Sequence, residues 1–349
     1  MDGRALHGVN LTGWLSLEPW VTPELFADSG ALDEASLVQA LGEKRYHSLV
    51  RHHREEFLTS ADFRRIAARG FNAVRLPVPW YAFGQAGPAC APYLGCIDYV
   101  DRAFDWAEEV GLKVIVLLAA SPGAQDAERT AIGRSTDFRS YRDELVSVVA
   151  ALARRYKMRD GLFGIEVLDT PEVQRRRFLQ VSEGVPLHTL RNYYRDAYAA
   201  VRQEAGPDPV VIVPDGGMTR AWAAFMAQKQ YENAWLDCTF VHRDDVPRPD
   251  ASGPAGVRRL VDVSRKQLMV ARKSGLPVMV GSWSGALPYA DSLMTPEGRI
   301  ALERVYLSEQ LAAFRECPAW FFQTWKTSGK ISGWDARVSL ATFERRMLD

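Results

Sequence analysis

Two stretches of this chain end an apolar run on polar side chains of the kind that carry chemistry. One is Gly164-Ile165-Glu166-Val167-Leu168-Asp169-Thr170-Pro171, and the other is Val278-Met279-Val280-Gly281-Ser282-Trp283-Ser284. Each reads as a buried strand followed at once by a loop. The groups presented are one carboxylate, Asp169, and two hydroxyls, Thr170 and Ser282. A carboxylate can move a proton. A hydroxyl stays protonated near neutral pH and attacks only when a base stands beside it. Further along, Trp14, Trp20, Trp80, Tyr81, Trp283, Trp320 and Trp325 fall on or just after strand ends. Apolar sugar faces stack on such rings, so a carbohydrate platform is one chemistry they suggest. Packing is the competing reading for each, and the expected one for Trp14 and Trp320.

The elements that must position these residues alternate along the whole chain. Strand candidates are Leu6–Leu11, Ala73–Val78, Lys113–Ala119, Leu162–Leu168, Val210–Asp215, Leu236–His242, Pro277–Gly281 and Trp320–Trp325. Their near-continuous apolar character suits parallel strands buried on both faces. Amphipathic helical patterns separate them at Ala61–Arg69, Tyr99–Val110, Phe138–Tyr156, Leu190–Glu204, Gly256–Ser274 and Arg299–Arg315. Glycines after Arg69, Val110 and Ser274 read as helix stops. Eight strands alternating with helices predict an α/β fold, a single (β/α)8 TIM barrel over 1–349. A doubly wound open sheet is the alternative, but no Gly-x-Gly-x-x-Gly turn follows the first strand. The segment from Val21 to Arg54 is long for a first βα connection and predicts a lid or extra helices over the barrel mouth.

In order, the strand ends resemble those of glycoside hydrolase family five, in its exo-β-1,3-glucanase branch. Gly8-Val9-Asn10-Leu11-Thr12-Gly13-Trp14-Leu15-Ser16-Leu17-Glu18-Pro19-Trp20 is similar to the family's G-V-N-L-G-G-W-L-x-L-E-P-W. The likeness runs on through Asp62-Phe63 and Gly70-Phe71-Asn72 to Val74-Arg75-Leu76-Pro77. It returns at Trp320-Phe321-Phe322-Gln323-Thr324-Trp325-Lys326-Thr327 and at Trp334-Asp335. By this resemblance Glu18 is a sugar-hydroxyl ligand, Arg75 orients the nucleophile, and Trp325 walls the innermost sugar subsite. Trp80 and Trp283 complete the expected ligand-binding set.

The same resemblance puts the family's acid/base glutamate at Thr170 and its nucleophile at Ser282. The family's G-I-E-L-L-N-E-P has become Gly164 to Pro171, and its V-G-E-W-S has become Val280-Gly281-Ser282-Trp283-Ser284. H-G-A-P-G-S-Q is matched by Ala119-Ala120-Ser121-Pro122-Gly123-Ala124-Gln125, without the histidine. A D-x-H-H-Y-like pattern is matched by Asp237-Cys238-Thr239-Phe240-Val241, without the histidine and tyrosine. A retaining glycosidase needs two carboxylates about 5 Å apart, so the resemblance implies descent without hydrolysis. The leading expectation is a pseudo-glucanase, with no catalytic residue, that binds a carbohydrate or a protein partner at the C-terminal face of the barrel. Asp169, where the family has asparagine, is the fallback acid of an active glycoside hydrolase with a rebuilt mechanism. Its competing reading is a turn cap or a partner of Arg75. A third expectation is a structural or regulatory protein whose pocket is closed, with Phe240 filling vacated space. Glu166 and Asp215 also have family counterparts and read as structural.

Composition narrows the remaining classes. The 349 residues carry 43 basic and 43 acidic side chains, so no basic excess favours nucleic acid. No apolar run approaches the roughly 20 residues that span a bilayer. The start, Met1 to His7, lacks an apolar signal region. That favours a cytoplasmic location as written, and a secreted one if a leader was trimmed. His47, His52, His53, His188 and His242 show no metal-ligand spacing, and neither metal nor cofactor is expected. Cys238 and Cys317 read as core thiols, whereas Cys90 and Cys96 flank a Pro/Gly-rich loop and could pair. Arg175-Arg176-Arg177 and Arg345-Arg346 read as exposed charge runs.

Overall fold

The fold is taken from a computed structural model, which describes residues 5–84, 92–121, 138–177, 180–181, 184–241, 253–287 and 295–341. Cys90, the turn from Pro122 to Gln125, His242 and the pair Arg345-Arg346 lie outside the described residues. Among the described residues there are ten strands: β1 (Leu6–Asn10), β2 (Ala73–Pro79), β3 (Lys113–Ala119), β4 (Leu162–Glu166), β5 (Arg176–Arg177), β6 (Gln180–Val181), β7 (Val210–Pro214), β8 (Ala234–Phe240), β9 (Val278–Trp283) and β10 (Ala319–Phe322). The helices are α1 (Glu34–Leu41), α2 (Glu43–Glu56), α3 (Ser60–Ala68), α4 (Ile97–Glu109), α5 (Phe138–Tyr156), α6 (Leu187–Ala205), α7 (Gly253–Arg272), α8 (Pro296–Phe314) and α9 (Ala336–Ser339). No helix among the described residues is long and apolar enough to cross a membrane.

Eight of the strands close into a parallel barrel in the order β1-β10-β9-β8-β7-β4-β3-β2. The predicted (β/α)8 fold is the observed one, and each of its eight strand runs lies on an observed barrel strand. The small antiparallel pair β5–β6, in the loop after β4, was not expected from the sequence. Continuous apolar runs placed the strands because each strand is buried on both faces. One face turns to the helices. The other fills the barrel axis with Leu6, Ala73, Ile115, Val210, Ile212, Met279, Ala319 and Phe321. Gly8 makes this filling possible: a Cβ there would lie 2.5 Å from the Phe321 ring and from the Ala73 carbonyl oxygen.

Between β1 and β2 the predicted extra helices are α1 and α2. Buried polar side chains fix them to the barrel. Arg54 on α2 donates from Nε to Leu15 O at 3.1 Å and from Nη1 to Leu94 O at 2.9 Å. Glu34 on α1 accepts from Tyr46 Oη at 2.5 Å, Tyr81 Oη at 2.9 Å and Leu17 N at 3.1 Å. Burial pushes the Glu34 carboxyl up, against the opposing pull of Arg54. His53 Nε2 donates to Gly13 O at 2.7 Å, so α2 holds the loop leaving β1. Cys238 and Cys317 are buried, and burial pushes the Cys96 thiol up to about 11.

His53 gives the lid a pH dependence of defined sign. Burial pushes its imidazole down to about 4, against the raising effect of the Gly13 bond. The unfolded chain takes up that proton near its ordinary value, so this contribution is complete above about pH 6.5 and is lost as pH falls towards about 4. Urea unfolding should show a stability loss of about 2 kcal/mol from this group between about pH 7 and about pH 5. A His53→Gln variant should lose less by that amount. Identical pH profiles for the two proteins would refute the assignment.

Candidate functional site

Above the apolar filling, four barrel strands contribute a layer of buried polar side chains. Arg75 on β2 sits at its centre and is 1% exposed. Its Nε and Nη2 donate to Glu166 Oε2 and Oε1, each at 2.6 Å, a bidentate pair between β2 and β4. Nη1 donates to Asn10 Oδ1 on β1 at 2.8 Å. Asp237 Oδ2 on β8 lies 3.4 Å from Nη2. Burial alone would lower the affinity of Arg75 for its proton, but Glu166, Asp237 and Asp169 outweigh it and keep the guanidinium charged. The Asp237 carboxyl is pushed well up, chiefly by burial and next by the Glu166 charge.

This layer determines where Ser282 points. The β8–β9 ladder pairs Cys238 with Val280 and then Thr239 with Ser282, so Gly281 is an extra residue in β9. Its N–H donates to Asp237 Oδ1 at 2.5 Å, and its carbonyl accepts from Asn10 Nδ2 at 2.9 Å. A Cβ at Gly281 would lie 2.3 Å from Asp237 Oδ2, which is why the position is glycine. The bulge turns Ser282 towards Arg75, whose Nη1 lies 3.5 Å from Ser282 Oγ. Ser282 Oγ donates to Gln323 Oε1 at 3.3 Å. An amide oxygen and a guanidinium are its polar neighbours, and neither is a base.

Thr170 and Asp169 leave β4 half-buried at the barrel mouth. Asp169 keeps 21% of its side chain exposed, with Oδ1 3.7 Å from Arg75 Nη2. Thr170 has φ +22° and Ala120, just past β3, has φ +51°. Both values lie in the left-handed region that costs an L-residue energy. The pattern that Ala119-Ala120 resembles carries glycine at the second position. Thr239 is exposed, whereas Phe240 is buried and stacks on Phe314 of α8 with ring centroids 5.7 Å apart. Phe240 thus fills space between barrel and helix, not the mouth.

The expected ligand-binding residues divide by depth. Glu18 is half-buried, and its Oε2 accepts from Trp20 Nε1 at 2.7 Å. Trp80, Trp283 and Trp325 are each exposed by 1% or less. Trp325 Nε1 donates to Asp62 Oδ1 on α3 at 3.1 Å, and Trp283 packs edge-on against Phe314, Trp320 and Phe322. Trp80 packs against Tyr81 and Tyr93. Sequence reasoning did not single out Asn10, Asp237 or Gln323 as members of the site, nor the pairing of Trp20 with Trp334. Those two half-buried rings, from the loops after β1 and β10, have centroids 5.1 Å apart. Their signal was present in the matched motifs, where Trp20 follows Glu18 by two residues and Trp334 precedes Asp335.

Residues 43–249 match the cellulase family, glycosyl hydrolase family 5. A probable glucan 1,3-beta-glucosidase A of Aspergillus niger is 32% identical over 97% of this chain and 86% of its own length. A probable glucan 1,3-beta-glucosidase of Arthroderma benhamiae is 30% identical over 95% of this chain and 86% of its own. Among solved structures, a rutinosidase from Aspergillus niger superposes with a TM-score of 0.79 at 16% identity, covering 99% of this chain and 98% of that one. An endoglucanase from Thermotoga maritima does so with a TM-score of 0.60 at 16% identity, covering 98% and 95%. At such identities these two structures attest the fold.

Substitution at two members of the layer makes it testable. Burial pushes the Asp237 carboxyl up, and an amide can accept from Gly281 N in its place, so Asp237→Asn should change unfolding free energy by no more than about 1 kcal/mol. Arg75→Leu leaves Glu166 buried and uncompensated and should cost about 3–5 kcal/mol. Equal costs for the two would contradict the central place of Arg75 in the layer. Separately, Ala120→Gly should stabilise the chain by about 1 kcal/mol by relieving the left-handed backbone, readable in the same denaturation series.

Proposed function

This chain belongs to glycoside hydrolase family 5, on its exo-β-1,3-glucanase-like branch, and we propose that it binds a β-glucan-type oligosaccharide at the open end of the barrel without hydrolysing it. The observation that carries this reading is the state of the carboxylates around Arg75. Glu166 and Asp237 are sealed from solvent, and Asp169 is the one of the three with an exposed part. Double displacement at an anomeric carbon needs two reachable carboxylates about 5 Å apart, and single displacement needs two about 6.5–9.5 Å apart. Among the described carboxylates around Arg75, one is reachable, and one meets neither requirement.

The hydroxyls do not replace the missing charge. Ser282 Oγ has an amide acceptor and a cation beside it, so nothing removes its proton. Neither Ser282 nor Thr170 offers negative charge to an oxocarbenium-like transition state. Binding requires less. Glu18 presents a carboxylate beside Trp20, and the Trp20–Trp334 pair presents partly open ring faces at the mouth. The relatives named as glucan 1,3-beta-glucosidases make a β-1,3-linked glucan the ligand class of first choice. Trp80, Trp283 and Trp325 then act from behind, holding the loops on which those contacts stand.

Calorimetry with laminari-oligosaccharides tests the binding half of this reading. Saturable binding is expected, weakened about tenfold or more by Trp20→Ala or Trp334→Ala. Binding that ignores both variants, or none at all, would count against a sugar-binding mouth. Aryl β-glucoside turnover tests the other half: the wild type should sit at background. The Thr170→Glu/Ser282→Glu double variant should remain near it, because the histidine and tyrosine positions of the resembling enzymes are also changed. Wild-type turnover abolished by Asp169→Asn would instead establish a rebuilt hydrolase.

A further inference from the structure

Helix α8 turns a stripe at helical spacing inward: Glu303, Leu307, Gln310 and Phe314 are all buried. Leu307 and Phe314 are what such a stripe ordinarily carries. Glu303, only 6% exposed, and Gln310, with no exposure, are not. Burying a carboxylate costs free energy unless its bonds offset the loss of water. Both polar side chains reach past the helix to loops at the open end of the barrel. Gln310 Nε2 donates to Ser284 O, directly after β9, at 2.8 Å. Glu303 Oε2 accepts from Ser332 Oγ, in the loop after β10, at 2.7 Å. That is the one hydrogen bond of this carboxylate among the described residues.

The two loops are also bonded to each other. Gly285 N donates to Gly333 O at 2.7 Å, and Gly333 N donates to Ser339 Oγ on α9 at 2.7 Å. A Cβ at Gly333 would lie 2.5 Å from Ala286 Cα, so an approach this close requires glycine. Trp334 is the next residue, and its carbonyl accepts from Thr324 N at 2.6 Å. A short path of directly bonded neighbours therefore joins the inner stripe of α8 to a ring at the rim: Glu303, Ser332, Gly333, Trp334. At its end the Trp334 ring meets Trp20 with centroids 5.1 Å apart and planes 56° from parallel.

We propose that Glu303 is a positioning residue for the sugar-binding rim: its bond to Ser332 fixes the backbone that aims the Trp334 ring at Trp20. The inference rests on the sugar-binding reading for its functional consequence, whereas the geometry of the ring pair can be read without any sugar. Groups that recognise a ligand keep their geometry only when packing and hydrogen bonds from behind lock them. Glu303 supplies such a bond to the loop after β10, and Gln310 supplies one to the loop after β9 against which it packs. A helix outside the barrel thereby takes part in recognition without touching the ligand.

Circular dichroism of the full chain is the first test, because two indole rings this close and this far from parallel couple into an exciton couplet. The couplet is read as the difference between a protein and its Trp20→Ala variant. In Glu303→Ala and in Ser332→Ala backgrounds it should be at least about twofold weaker. Glu303→Gln, whose amide oxygen still accepts from Ser332, should keep it. Ser332 is exposed, so its variant should fold as the wild type does even if Glu303→Ala does not. Calorimetry with laminari-oligosaccharides is the functional arm: affinity should fall about threefold or more in Ser332→Ala and hold in Glu303→Gln. A wild-type difference without a couplet, or a couplet that Ser332→Ala leaves intact, would overturn the proposal. No sugar binding by the wild type, with a couplet that still depends on Ser332 and Glu303, would sink the binding reading and leave the positioning of Trp334 standing.

Discussion

The Arg75 guanidinium is the interaction on which the upper half of the barrel depends. A cation enclosed this far from water is tolerable only when its hydrogen-bonding positions are met and its charge is compensated. Glu166 meets both demands with two parallel bonds. Asn10 occupies a third position, and through its amide nitrogen it also reaches the Gly281 carbonyl of β9. Asp237 stands farther from the cation, its carboxyl pushed well up chiefly by burial, and it serves as the acceptor for the Gly281 N–H. One cation thereby sets the β9 bulge, the glycine within it and the direction of Ser282.

A second buried arginine plays the matching part for the lid. Arg54 gathers the carbonyls of Leu15, Leu94 and Gly95, which belong to the loops leaving β1 and β2. Glu34 lies close enough to oppose its charge and gathers two tyrosine hydroxyls and the Leu17 N–H. Backbone groups of irregular segments must find partners when they are enclosed. Here two charged side chains supply them and fix the long first connection to the barrel beneath it. The rim that carries Glu18 and Trp20 rests on this clamp.

The barrel was legible in the sequence because burial on both faces leaves an apolar run for every strand, and each helix carries its own period. The (β/α)8 count needed nothing more. The site was less legible for a physical reason. Arg75 and Glu166 are 91 residues apart, and Arg75 and Asp237 are 162 apart, so no local spacing announces their meeting. Trp80, Trp283 and Trp325 follow strand ends in sequence, but sequence position does not tell which side of the wall a ring takes. Strand alternation and the β9 bulge decide that, and they send Trp283 towards α8 while Ser282 faces inward. Trp20 and Trp334 were visible singly, and their contact required the closure of the barrel between β1 and β10.

The division between depth and rim also explains how such a site can change without unfolding the chain. The positions that depart from the resembling pattern, Ala119, Thr170, Thr239 and Ser282, end strands or begin loops. The polar layer below them is closed on itself: Arg75, Glu166, Asn10 and Asp237 satisfy one another whatever the rim presents. A serine at 282 removes a carboxylate beside Arg75 relative to the pattern it resembles. Asp169, standing where that pattern has asparagine, returns one to the far side of the same guanidinium at 3.7 Å. A carboxylate is thus still present beside Arg75, while its position differs from that of the pattern. Stability depends on the former and glycosidic chemistry on the latter, so the two can separate.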